Sequence, residues 1–126
     1  MIEAPQAIQD VLSGLLQYEE ILGALAVSVE GLVMGSAGID GEDADMLAAL
    51  GASLVGVAER TMRRIGAGAP SVMCIGAGDG MVHIRGRDEV ALIIISEPCD
   101  ATLIGAACEA ALARIAAVVG PVVAVG

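Results

Sequence analysis

The 126-residue chain contains no lysine, phenylalanine or tryptophan, one tyrosine (Tyr18) and one histidine (His83). Each gap excludes a chemistry. Without lysine there is neither a P-loop lysine nor a Schiff-base lysine. Ser13, Ser28, Ser36, Ser53, Ser71 and Ser96 have one imidazole to share, which leaves a hydrolase triad without its parts. One histidine and three cysteines with no C-x-x-C pair make no zinc set. So few aromatics leave little from which to build a specific small-molecule pocket. Basic residues are scarce as well: six arginines against sixteen acidic residues give a net charge of −10. That balance repels phosphate backbones, so no nucleic-acid partner is expected.

Long uninterrupted apolar runs are also missing, although 56% of residues are hydrophobic. A membrane span needs about 20 apolar residues in a row, and the longest candidate is broken by Arg114 and then Gly120-Pro121. Glu3 and Asp10 occupy the stretch where a signal peptide carries positive charge and an apolar run. The expectation is one cytoplasmic domain over 1–126, large enough for a core, with no membrane insertion and no cofactor.

What is present reads as alternating helices and strands. Pro5 suits a first helical turn, and Ile8, Val11, Leu12, Leu15 and Leu16 form one helical stripe. Residues 24–38, "ALAVSVEGLVMGSAG", read as strand, Glu30-Gly31 turn, strand. Acidic residues from Asp40 to Asp45 suit a helix start, which Asp40 or Gly41 would cap; that helix runs to about Ile65. "SVMCIGAGDGMVHIRG" (71–86) contains a glycine cluster, but a dinucleotide loop needs its third glycine where Met81 stands. Met81 to Arg87 alternates apolar and polar residues, and Asp79-Gly80 is the pair favoured in a type I′ turn, so the cluster turns a hairpin. "VALIIIS" (90–96) is apolar at both alternations and belongs mid-sheet, and Ala101 to Val119 forms a last helix capped by Asp100. Hairpin-paired strands with helices on both faces give an α+β three-layer sandwich: five antiparallel strands, one long helix on one face, two helices on the other.

Cys74 and Cys108 read as small core residues and His83 as a surface or interface residue; Cys99 precedes a helix start, where a thiolate is stabilised. On a wheel of the long helix, Leu47, Leu50, Leu54, Ala58, Thr61 and Ile65 make the sheet-facing stripe. The far side carries Ala49, Ala52 and Gly56, flanked by Ala48 and Val55, small residues that let another helix approach. Gly51 and Gly56 each cost a helix about 1 kcal/mol relative to Ala, so propensity did not select them. Arg60, Arg63 and Arg64 complement the negative end of this helix.

These features together resemble the Roadblock family, of dynein light-chain type, in its prokaryotic single-domain form. The resemblance runs from about Ile8 to Val119. It is carried by "VSVEGLVMGSAG" (27–38), "MLAALGASL" (46–54) and "GDGMVHIRGRDEVALIII" (78–95). It implies a profilin-like sandwich without catalytic chemistry, acting as a homodimeric scaffold or regulator of a Ras-like small GTPase. A small-molecule sensor and a structural adaptor without a GTPase are the alternatives. The family's dimers place the long helix and the third strand against their copies. Here that implies an interface of Ala48, Ala49, Ala52, Val55, Gly56, Glu59, Ser71, Val72, Met73, Cys74 and Ile75. Arg60, Arg63 and Arg64, a basic cluster on an otherwise acidic molecule, are expected to meet the partner. Unprotected strand edges invite pairing, and 71–77 carries no charge.

Overall fold

A computed structural model describes residues 4–120. In chain order the elements are α1 (Ala4–Leu15), β1 (Ile21–Ser28), β2 (Val33–Ala37), α2 (Gly41–Arg64), β3 (Val72–Gly76), β4 (Met81–Arg87), β5 (Val90–Ser96) and α3 (Ala101–Val119). The strands form one sheet in the order β2-β1-β5-β4-β3, every neighbouring pair antiparallel. The apolar strand β5 is central, as its lack of alternation requires.

Two cores lie on opposite sheet faces. On one, α1 and α3 pack against each other and the sheet through Ile8, Leu12, Leu15, Ala24, Leu92, Ile94, Ile104, Leu112 and Ile115. The 19-residue α3 has the length and apolarity of a membrane span, yet its buried stripe Ile104, Cys108, Ala111, Leu112 and Ile115 is part of this core. On the other face α2 covers Leu25, Val27, Ile84 and Ile93 with Ala44 and Ala48. This is the expected three-layer sandwich. Pro121, expected to end the last apolar run, lies outside the described residues.

The ends of the helices follow local rules. Asp100 caps α3, accepting from the Thr102 backbone N–H at 3.0 Å and its hydroxyl at 2.8 Å; both bonds hold its carboxyl below the usual carboxylate range. Asp40 precedes α2 without a side-chain cap, and Glu42 and Asp43 complement the positive end instead. α2 stops at Gly66, whose φ of +70° suits glycine. The Gly66 N–H reaches the Arg63 carbonyl and the Ala67 N–H that of Met62, a Schellman closure.

The 71–86 hairpin forms, but its turn chemistry differs from expectation. Its loop is Gly78-Asp79, closed by the Ala77 N–H donating to Gly80 O at 2.9 Å, and Asp79 and Gly80 stay out of the left-handed region. That conformation falls in the next hairpin, at Asp88 (φ 54°), between the paired Arg87 and Val90.

Candidate functional site

The phase of α2 also differs from expectation. Ala44, Ala48 and Gly51 are buried, and Leu47, Leu54 and Val55 pack beside them, whereas Leu50, Thr61 and Ile65, expected toward the sheet, are exposed. The reason is closeness. A Cβ on Gly51 would stand 2.5 Å from Ile93 Cδ1, so the helix axis lies too near the sheet for a large residue there. Ala48, fully buried, therefore belongs to the inner face and leaves the expected outer surface.

Small residues on the outer shoulder have a use within the chain. The β1–β2 turn reaches over α2 at Gly31, where an added Cβ would meet Ala52 Cβ at 3.3 Å and approach Ala49 Cα at 3.8 Å. Its φ of +87° favours glycine independently.

The opposite side of α2 is apolar and open. Met46, Leu50 and Val57 are 60%, 53% and 51% exposed. With Ser53 they stand two residues on from Ala44, Ala48, Gly51 and Val55, about 200° around the helix. A solvent-facing helix is normally polar on this side. Gly56 and Ala52 lie between this stripe and a cleft of about 390 Å³. The cleft opens where α2, which has its main contacts with β1 and β2, draws away from the β3 side of the sheet. Val55, Met73, Ile84 and Ile93 line it, with Glu59 and Ser71 at its margin.

Beside the cleft runs the sheet edge. β3 pairs with β4 and presents its other backbone edge to solvent. Val72 and Ile75 are exposed, and no charge blunts the strand. Cys74, expected in the core, is exposed there. Arg60, Arg63 and Arg64 are exposed at the far end of α2 and form no ion pair among the described residues. The described ion pair is Arg85 with Glu109 of α3.

His83 corrects another expectation: it is 1% exposed. It lies opposite Cys74 in the β3–β4 register, on the face of α1 and α3. Its Nδ1 is 3.4 Å from Cys74 Sγ and its Nε2 2.8 Å from Ser96 Oγ. Burial, and secondarily the Arg85 charge, push its pKa below the usual histidine value, so the ring is neutral near pH 7. Cys99 is half-buried, with Sγ 3.8 Å from Ser96 Oγ and its N–H on Met81 Sδ at 3.3 Å. Cys108 is buried as expected, which pushes its thiol up. Sequence alternation marked which strand residues share a face. It carried no sign that Cys74, His83 and Ser96 meet across three strands.

The Roadblock/LC7 domain family matches residues 7–96. Among solved structures, the Roadblock/LC7 domain from Streptomyces avermitilis superposes with a TM-score of 0.80 at 22% identity, covering 85% of this chain and 92% of that one. Myxococcus xanthus MglB gives 0.81 at 19% identity, covering 91% and 89%. An MglB solved in a tetrameric arrangement gives 0.77 at 21% identity, covering 93% of each. Identities this low carry the fold alone. A comparison with curated proteins found no match.

Proposed function

Because the chain belongs to the Roadblock/LC7 domain family, we propose that it acts in the cytoplasm as a non-catalytic homodimeric scaffold that regulates or localises a Ras-like small GTPase. One observation carries the reading: an uncharged, unpaired β3 edge stands beside an apolar outer stripe on α2. Strand addition at such an edge supplies backbone hydrogen bonds, and the stripe supplies the apolar area that water disfavours. The self-association surface is then Met46, Ala49, Leu50, Ala52, Gly56 and Val57 with the backbone edge of Ser71, Val72, Met73, Cys74 and Ile75, which leaves the Cys74 side chain on the opposite sheet face; Val55 and Glu59 border it from the cleft.

Twofold pairing repeats Arg60, Arg63 and Arg64 on an otherwise acidic molecule. Such a patch steers an acidic partner surface and mostly tunes its association rate. A scaffold of this kind accelerates hydrolysis by ordering the GTPase's own switch loops, which needs no catalytic side chain here. The test is single-turnover GTP hydrolysis by Ras-like GTPases of the same cell, with and without this protein, alongside direct binding in both nucleotide states. Nucleotide-dependent binding is expected. Absence of binding to every such GTPase in either state would leave a scaffold without this partner class.

A further inference from the structure

The grouping of Cys74, His83 and Ser96 has no part in a scaffold. The distances accommodate a proton arrangement that leaves a base facing Cys74, and the proposal below takes that arrangement. Ser96 has one hydroxyl proton, and the Glu97 carbonyl lies 2.9 Å from its Oγ. With that proton donated to the carbonyl, Ser96 Oγ meets His83 Nε2, 2.8 Å away, as an acceptor, and the ring carries its proton on Nε2. Nδ1 is left with a lone pair whose one partner among the described residues is the Cys74 thiol at 3.4 Å. A solvent-exposed thiol thus faces a base that is itself buried and oriented by a third group, the arrangement that activates nucleophiles.

We propose that Cys74 is a base-assisted nucleophilic thiol that exchanges with low-molecular-weight disulfides. The Cys74 S–H proton passes to His83 Nδ1 as Sγ attacks one sulfur of R–S–S–R. The R–S–S–R bond breaks, a Cys74–S–S–R bond forms, and the departing RS⁻ takes the proton to leave as RSH. Cys74 is oxidised and one R sulfur is reduced, so no further reactant is needed. Among the described residues Cys99 and Cys108 lack this pairing: Cys99 Sγ has Ser96 Oγ as its partner, at 3.8 Å, and Cys108 is buried. The thiol stands on the α1 and α3 face of β3, away from α2, so the chemistry does not rest on the self-association proposed above.

The groups facing His83 shape its pH behaviour. His83 meets Cys74 on β3, Ser96 on β5 and the charge of Arg85 on its own strand; around these stand Cys99, against Ser96, and Glu109 and Cys108 of α3, the first paired with Arg85 and the second within reach of its charge. Passing the proton from Cys74 to His83 leaves the number of protons on the pair unchanged, so the assisted path carries no first-order dependence on pH. An unassisted thiol, which must first lose its proton to water, reacts about tenfold faster per pH unit.

The experiment treats the folded protein with bis(2-hydroxyethyl) disulfide from pH 6 to 8 and follows each cysteine by site-resolved mass spectrometry. Base assistance is worth about 10²–10⁴-fold where it operates fully. Cys74 is expected to react at least about tenfold faster than Cys99 at pH 7, with a shallow pH profile. A disulfide to the reagent and a Cys74 cross-link between two chains both count, since both begin with the same attack. His83→Asn is expected to slow Cys74 about tenfold or more and restore the steep profile. If His83→Asn does not fold, Ser96→Ala carries the test through a loss of about threefold or more and a steeper profile. A Cys74 rate equal to that of Cys99, or rates and profiles unchanged in the folded variants, would overturn the proposal.

Discussion

Replacing Gly51 by alanine sets two known terms against each other on one helix. Helix propensity favours alanine by about 1 kcal/mol. Packing opposes it, because the new Cβ would lie 2.5 Å from Ile93 Cδ1. Ile93 is buried in mid-sheet, paired with Leu25 and Ile84, and has little room to turn away. Overpacking of a tight core costs about 1–3 kcal/mol. Gly51→Ala is therefore expected to destabilise by roughly 0–2 kcal/mol despite its better propensity. Ile93→Val removes Cδ1, the obstructing atom, and alone costs about 0.5–1.5 kcal/mol. In the double variant the new methyl occupies the vacated space, so its stability should exceed the sum of the single changes by about 1 kcal/mol or more. Urea unfolding at one fixed protein concentration measures all four members of the cycle, with m-values compared to confirm the same transition. Additivity within about 0.5 kcal/mol would refute the close approach of α2 to β5.

Two further outcomes follow from the charges. His83 has a folded pKa below its ordinary 6.5, so the unfolded chain binds the proton more readily. Stability is then unaffected above pH 6.5 and falls as pH drops below it until the folded pKa is reached. Melting temperatures at pH 7 and 5 should show this loss in the wild type, and His83→Gln should lack that component. Replacing both Arg63 and Arg64 by Ala should slow association with the GTPase at low salt and flatten its salt dependence, leaving self-association intact. Unaltered kinetics would restrict these arginines to complementing the end of α2.

The element order, the central place of β5 and the helix ends were legible because each rests on local signals. Uninterrupted apolar residues marked Val90–Ser96, and Asp100 marked the start of α3. The phase of α2 was not legible. A helix apolar on most sides gives its wheel no unique orientation, and size misleads when the closest contact is made by Gly51 and Ala48 while Leu50 points outward. Likewise the alternation around His83 showed two faces but not which partners covered them; the ring is buried because Ser96 and Cys74 supply its hydrogen bonds from neighbouring strands. Asp79-Gly80 had turn-forming composition, yet the left-handed residue is Asp88. The hairpin was readable while the turn type depended on how the strands met.

Self-association through the outer face of α2 and the edge of β3 is the central claim, and the mass of the particle in solution tests it most directly. Leu50 is 53% exposed, so Leu50→Glu removes apolar contact from the proposed interface while adding little strain to the isolated chain. Light scattering during gel filtration at micromolar concentration should give the wild type twice the 12.5 kDa chain mass. Leu50→Glu, with an unchanged circular dichroism spectrum, should elute as a single chain. A wild type of single-chain mass, or a Leu50→Glu variant that keeps the doubled mass, would contradict the account.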